Sequence, residues 1–246
     1  LNPYESPKLL AEYLLLHYGG AEDVLDGMPG PADAVGFPTR LVRELLAPVS
    51  DDAIALDLGC AVGGSSFELA RSCRRVIGID FSQSFIDAAN HLRETGEHPF
   101  RRSIEGDIDE PAVARVPADI VRTRVVFQRG DACDLDPGLG AFHVVLAANL
   151  LCRLPDPIRL IERLPSLVEP GGQLLLTTPF TWLEEFTPRE KWIGGTAAGG
   201  RSFDALRALL EPHFTLESVC DLPFLIREHA RKFQYGVACG SRWRRR

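Results

Sequence analysis

The chain lacks the features that mark several large protein classes. It holds a single methionine, Met28, and starts at Leu1, which points to a chain processed, trimmed or excised from a longer polypeptide. It has no basic excess: 27 Lys and Arg face 34 Asp and Glu, for a net charge of −7. Phosphate neutralisation needs a concentrated basic surface, so no nucleic-acid partner is expected. The ending Arg242-Trp243-Arg244-Arg245-Arg246 reads as a solvated tail beside that acidic remainder. No apolar run reaches the roughly 18 residues of a membrane span, and no signal-peptide pattern is seen at the N-terminus. Cys60, Cys73, Cys133, Cys152, Cys220 and Cys239 are scattered without a Cys-x-x-Cys pair. That argues for reduced thiols and against a disulfide framework or structural zinc. His17, His91, His98, His143, His213 and His229 are equally dispersed, so no metal is expected. A cytoplasmic chain without a membrane partner is the expectation.

What is present is a globular composition. With 246 residues, 45% of them hydrophobic, the chain is long enough for one α/β domain with a full core. Residues 1–50 read as a helical cap, with helices over 7–18 and 38–46. Beyond it strands and helices alternate. Strands are expected over 54–58, 75–80, 125–130, 142–147 and 173–177, with helices over 64–72, 82–93 and 157–167. A helix over 202–210 precedes two last strands, over 214–220 and 232–238, joined by a loop. Alternation with short links means a parallel sheet covered on both faces, and the closing pair means an antiparallel edge hairpin. Two long segments, 96–124 and 180–201, are expected near the active site. The first is expected to hold a small hairpin, 101–105 against 112–116.

The stretch 53–64 carries the chemistry. An apolar run ends at Asp57, then breaks into a glycine-punctuated turn that opens a helix, the way α/β proteins build a nucleotide pocket. The dinucleotide fingerprint wants glycine where Ala61 stands, which argues against a NAD-linked oxidoreductase. The match is to Asp-x-Gly-x-x-x-Gly at Asp57, Gly59 and Gly63, with Cys60 inside the turn. Asp80 ends the second strand 23 positions after Asp57, close to the roughly 20 expected of a ribose-binding acid. Its alternative role is a helix N-cap before Ser82. After the third strand come Gly130, Asp131, Ala132 and Cys133, where Asp131 can accept from an adenine amino group or simply close a turn. Asn149 ends the fourth strand, where it can fix an acceptor atom or satisfy the strand end. It is not followed by the Pro-Pro-aromatic tetrad of DNA amino-methylating enzymes.

The turn from Asp57 to Gly63, Asp80, the run Gly130 to Cys133 and Glu169-Pro170-Gly171-Gly172, four elements in order, resemble the motifs of the Rossmann-like class I methyltransferases. The resemblance implies S-adenosylmethionine as cofactor and a seven-stranded, mostly parallel sheet. It implies a cofactor site made by Asp57, Gly59, Cys60, Gly63, Asp80, Phe81, Ser82, Asp131, Ala132, Cys133 and Asn149. Asn2-Pro3-Tyr4-Glu5-Ser6, Leu14 to Gly19, the serines after Gly64, Arg124 to Asp134 and Thr178-Pro179-Phe180-Thr181-Trp182 narrow it. Together they resemble the methyltransferase domain of ovothiol biosynthesis, a 5-thiohistidine N-methyltransferase often fused to a sulfoxide synthase. That implies a small amino-acid substrate, S-adenosylhomocysteine as product, and a fused or partner sulfoxide synthase domain. Asn149 and Tyr4 are the implied catalytic residues, with Asn2, Tyr4, Arg153, Phe180, Trp182 and Lys191 around the acceptor. Arg227 and Trp192 are further candidates for a cation and an aromatic wall, and Glu184 or Glu185 for an acid. Another small amine or hydroxyl acceptor, or a silent domain that only keeps the fold, stays open.

Overall fold

The computed structural model describes residues 3–246. Leu1 and Asn2, the latter an expected acceptor contact, lie outside the described residues. The cap comprises α1 (Pro7–Tyr18), α2 (Ala21–Leu25) and α3 (Phe37–Leu45). The core follows as β1 (Ile54–Leu58), α4 (Gly64–Leu69), β2 (Arg75–Asp80) and α5 (Gln83–Thr95). A separate hairpin, β3 (Glu97–Glu105) and β4 (Ile108–Arg115), precedes β5 (Val125–Arg129). Then come β6 (Phe142–Ala148), α6 (Pro157–Leu167) and β7 (Val168–Thr178), with α7 (Ser202–Leu210), β8 (Phe214–His229) and β9 (Lys232–Arg245) at the end.

The strands form one seven-stranded sheet in the order β5-β2-β1-β6-β7-β9-β8. β5, β2, β1, β6 and β7 run parallel, while β9 is antiparallel to both β7 and β8. This is the seven-stranded Rossmann-like sheet with an antiparallel edge pair that the methyltransferase resemblance implies. Four of the five β1 residues are buried, as a strand covered on both faces requires. The order reverses beside β1, so a crevice opens outside the carboxyl ends of β1 and β6.

Local chemistry sets the helices around that crevice. In α1, the Ser6 hydroxyl accepts the Leu9 N–H at 3.3 Å and Pro7 occupies the first turn, where its missing N–H is harmless. Leu14, Leu15 and Leu16 are buried along α1, each contributing about 1.5–3 kcal/mol of apolar burial. Two of them join different clusters, Leu14 the main core and Leu15 a small core beneath the β8–β9 hairpin. α4 stops at Leu69, short of the expected 72, because Arg71 and Ser72 donate to carbonyls three residues back and tighten the last turn.

Three expectations need correction in detail. The small hairpin exists, but Arg101 pairs with Pro111 and Glu105 with Ile108, not with residues 112–116. A turn at Gly106 and Asp107 shortens the connection and slides the register. The fifth parallel strand starts at Val168, with residues 169–172 bulging out between the Phe142–Val168 and Val144–Gln173 pairs. The edge hairpin is about twice as long as expected, with strands of 16 and 14 residues. Pro223 sits inside β8 because β8 is an edge strand, where a missing N–H costs no ladder bond. β9 pairs with β7 only from Cys239 to Arg244, so the outer half of the hairpin runs past the sheet toward the crevice.

Candidate active site

The crevice is a cavity of about 740 Å³, within the range of about 300–1,000 Å³ typical of ligand pockets. The ends of β1, β2, β5 and β6 form its floor, the segment from Pro3 to His17 crosses it, and the β8–β9 hairpin closes one side.

Asp57 is the penultimate residue of β1, 1% exposed. One carboxylate oxygen accepts the Ser66 hydroxyl at 2.6 Å, while Oδ1 is buried with no partner among the described residues. Burial pushes its pKa up to about 7, and the nearby Asp80 adds to the shift. A buried acid with one bare oxygen on a cavity wall is built for a cation.

The turn after it is tight. Gly59 has φ +70°, and a Cβ there would lie 2.9 Å from Leu150 Cδ1. Ala61 also takes the left-handed region, at φ 46°, a cost of about 1–2 kcal/mol for a residue with a Cβ. Its N–H is held by Asp80 Oδ2 at 2.9 Å. Asp80 Oδ1 accepts the Ser82 N–H, also at 2.9 Å. Each Asp80 oxygen keeps a second lone pair, so the carboxylate can also accept from a ribose diol. Burial raises its pKa, against the pull of those backbone N–H groups. The side-chain cap of α5 is Ser82, whose hydroxyl accepts the Phe85 N–H at 3.2 Å. Phe81 stands 52% exposed on the wall, with the Arg129 guanidinium 5.5 Å from its ring centre. Asp131 and Ala132 line the cavity beside it, and Asp131 Oδ1 accepts the Cys133 N–H at 2.8 Å.

Asn149 takes φ 51°, and Thr177 holds it: the Asn149 N–H donates to the Thr177 carbonyl at 2.8 Å, and Asn149 Oδ1 accepts the Thr177 hydroxyl at 3.0 Å. The amide NH₂ keeps no partner among the described residues. Arg153, one turn later, is tethered by Nη1 to the carbonyls of Cys152 and Thr181, both at 3.0 Å, and lies 4.9 Å from the Phe186 ring centre. The Tyr4 hydroxyl hydrogen-bonds with Arg153 and Tyr13; burial lifts its pKa, and Arg153 pulls it down.

Eleven of the expected residues therefore meet in one cavity: Tyr4, Asp57, Gly59, Cys60, Asp80, Phe81, Asp131, Ala132, Asn149, Arg153 and Glu185. The others stand elsewhere. Gly63 backs onto Phe127, where a Cβ would lie 2.5 Å from the ring. Ser82 ties its hydroxyl to the Tyr4 carbonyl at 3.0 Å, and the buried Cys133 turns its thiol to the Asp156 carbonyl. Trp182 stacks on Trp192 and donates to the Ser202 hydroxyl at 2.9 Å, with Phe180 packed against the same core cluster. Lys191 is spent on Asp156 at 2.7 Å, and the buried Arg227 donates to the Asp23 and Val24 carbonyls. Glu184 pairs with Arg189 at 3.6 Å, whereas Glu185 lines the cavity. Of the two long segments, 180–201 contributes Thr181, Glu185 and Phe186 to the wall; 96–124 contributes none of the lining residues, because its hairpin packs on α1, α5 and β8.

Sequence reasoning missed Tyr13, His17, Phe186, Phe224, Ile226 and Tyr235, all on the wall. The signal for the first two is a pair of polar-tipped rings four residues apart in the otherwise apolar 13–17 segment of α1.

A methyltransferase-domain family model matches residues 33–222. The chain belongs to the methyltransferase-domain family. A ubiquinone biosynthesis O-methyltransferase of Coxiella burnetii is 29% identical over 124 residues, 50% of this chain and 42% of the relative. A 27-O-demethylrifamycin SV methyltransferase of Amycolatopsis mediterranei is 28% identical over 180 residues, 70% of this chain and 58% of the relative. This methyltransferase domain thus matches about half the length of those relatives. The N-methyltransferase NodS of Bradyrhizobium japonicum superposes with a TM-score of 0.52 at 16% identity, over 85% of this chain and 93% of NodS, a likeness of fold.

The wall of this methyltransferase domain fits S-adenosylmethionine. Asp57 Oδ1 suits the ammonium, Asp80 the ribose hydroxyls, and Phe81 with Asp131 and Ala132 the adenine. Among the described residues no group of three side chains could hold a metal ion, and no helix is long and apolar enough to cross a membrane.

Proposed function

We propose that this chain transfers the methyl group of S-adenosylmethionine to an imidazole ring nitrogen of 5-thiohistidine, giving ovothiol. The sulfonium supplies an electrophilic methyl carbon, and in-line displacement asks the protein chiefly for orientation and exclusion of water. The bare Asp57 oxygen and the Asp80 carboxylate support the cofactor half of the reading.

One observation carries the acceptor half. Arg153 is the single Arg or Lys side chain in a described wall that also holds Asp57, Asp80, Asp131 and Glu185. S-adenosylmethionine and an amino-acid acceptor together bring two ammonium groups, a sulfonium and two carboxylates. The acids therefore suit the ammonium groups, and Arg153 suits the carboxylate of the acceptor. Arg153 would take the α-carboxylate and Glu185 the α-ammonium. Tyr4, hydrogen-bonded to Arg153, and the Asn149 NH₂ would orient the ring so that nitrogen, not the more nucleophilic sulfur, faces the methyl carbon. No dedicated base is needed at the attacking nitrogen: in the thiolate form the ring keeps its one N–H on the other nitrogen. The free lone pair forms the N–C bond as the C–S bond of the sulfonium breaks, and the product is an N-methylimidazolium thiolate.

The apolar side of the wall, Phe37, Leu41, Phe224, Ile226 and Val237, favours a second reading in which the acceptor is an aromatic hydroxyl. Incubation with methyl-labelled cofactor and a panel of 5-thiohistidine, histidine and simple catechols separates the two. Label on 5-thiohistidine is the expected result; label on the catechols alone replaces this reading with the second.

A further inference from the structure

His17 belongs to the last turn of α1, ahead of the stretch that the family model matches, yet it lines the cavity. Its Nδ1 accepts the Gly64 N–H at 3.0 Å, so α1 fastens directly to the helix that follows the glycine turn. The approach is close: a Cβ on Gly64 would lie 2.7 Å from that nitrogen. The next residue adds a second fastening, the Tyr18 hydroxyl donating to the Val62 carbonyl at 2.7 Å. Tyr13 stacks on the imidazole, with ring centres 6.0 Å apart and planes inclined by 29°. The ring is therefore held in position and in orientation.

This bonding decides the tautomer. Burial holds the His17 pKa down to about 3, so the imidazole is neutral, with one N–H. Nδ1 uses its lone pair on Gly64, which leaves the proton on Nε2. That nitrogen is bonded to nothing among the described residues. His17 lines the cavity, so this nitrogen is a donor without a protein partner on the wall.

The location says what it would donate to. Asp57 is bonded to Ser66 and His17 to Gly64, two residues apart in the first turn of the same helix. Asp57 offers its bare oxygen to an ammonium, and in an α-amino acid the carboxylate sits on the carbon that bears the ammonium. The neighbouring Ser65 hydroxyl already donates to the Pro38 carbonyl at 3.0 Å. We propose that His17 binds the cofactor, its Nε2–H donating to the carboxylate of the methionine end while Nδ1 pins the glycine turn. This rests on the S-adenosylmethionine reading of the cavity.

The test uses two ligands that differ only at that end. S-adenosylhomocysteine carries the amino-acid group, and 5′-methylthioadenosine lacks it. His17→Asn keeps an oxygen near the Nδ1 position and loses the Nε2 donor. Calorimetry should show the variant binding S-adenosylhomocysteine about 10- to 100-fold more weakly, the range for a hydrogen bond to a charged group, with 5′-methylthioadenosine unaffected. His17→Gln keeps a donor at Nε2 reach and gives up the Gly64 bond. It should weaken both ligands alike and preserve their ratio. Equal losses for both ligands in His17→Asn, or no loss for either, overturn the proposal while leaving the cofactor reading intact. Wild-type protein that binds neither ligand overturns the cofactor reading, and this proposal with it. Should His17→Asn fail to fold, the ratio in His17→Gln decides: a ratio that collapses toward one counts against the proposal.

Discussion

Replacing Asp57 with asparagine should stabilise the empty protein and cripple its cofactor site. The carboxyl's pKa stands near 7 against an ordinary 3.8 because it is buried. The native state therefore keeps a proton that the unfolded chain has already lost between about pH 4 and pH 7. Stability falls across that window as pH rises, and the loss is complete above pH 7. Three units at about 1.4 kcal/mol each put the cost near 4 kcal/mol. Asparagine is neutral, matches the shape and still accepts the Ser66 hydroxyl. Thermal melts of the ligand-free variant should thus exceed wild type at pH 8 and converge with it near pH 4. Calorimetry with S-adenosylhomocysteine should show the opposite trend, a loss of about 3 kcal/mol for the missing charged hydrogen bond. Wild-type affinity should also fall about tenfold per pH unit below 7, as Asp57 must shed its proton to meet an ammonium, while the variant stays flat. A variant that melts lower at pH 8, or binds as tightly as wild type, refutes the assignment.

Three further substitutions separate the parts of the site. Asp80→Ala should weaken cofactor binding by about 1.5–3 kcal/mol in the same titration; unchanged affinity would reduce Asp80 to a brace for the Ala61 and Ser82 N–H groups. Arg153→Gln should raise KM for 5-thiohistidine at least tenfold with the S-adenosylhomocysteine Kd unmoved, and a parallel rise in both would place Arg153 in the scaffold instead. Gly236→Ala sets a Cβ 2.4 Å from the Phe224 ring and should drive that ring into the cavity. Steady-state kinetics should then show impaired acceptor use, and melting a stability loss of about 1–3 kcal/mol.

The first two strands were legible because each is a buried run with an acid at or next to its carboxyl end. β1 and β2 begin and end where the residue pattern puts them, and Asp57 and Asp80 follow with their spacing. The outer half of the β8–β9 hairpin was not. Pro223 and Gly236 look like breaks in isolation, and only their pairing with Val237 and Phe224 across the hairpin makes them strand. Trp182 and Lys191 show the same limit at the site. An aromatic and a cation in a long loop suit a substrate as well as a core, and the choice belongs to Ser202 and Asp156, far away in sequence. His17 is the converse case. A lone histidine on an apolar helix reads as a core residue until Gly64, 47 positions on, turns out to be its partner.

A crystal structure with S-adenosylhomocysteine and 5-thiohistidine bound together tests the central claim most directly. The account predicts the cofactor's ammonium on Asp57 Oδ1, both ribose hydroxyls on Asp80, and the acceptor's carboxylate on Arg153. It predicts a ring nitrogen of the acceptor facing the cofactor sulfur and the acceptor's own sulfur turned away. An acceptor held outside this cavity, or one that presents its sulfur to the cofactor, would contradict it.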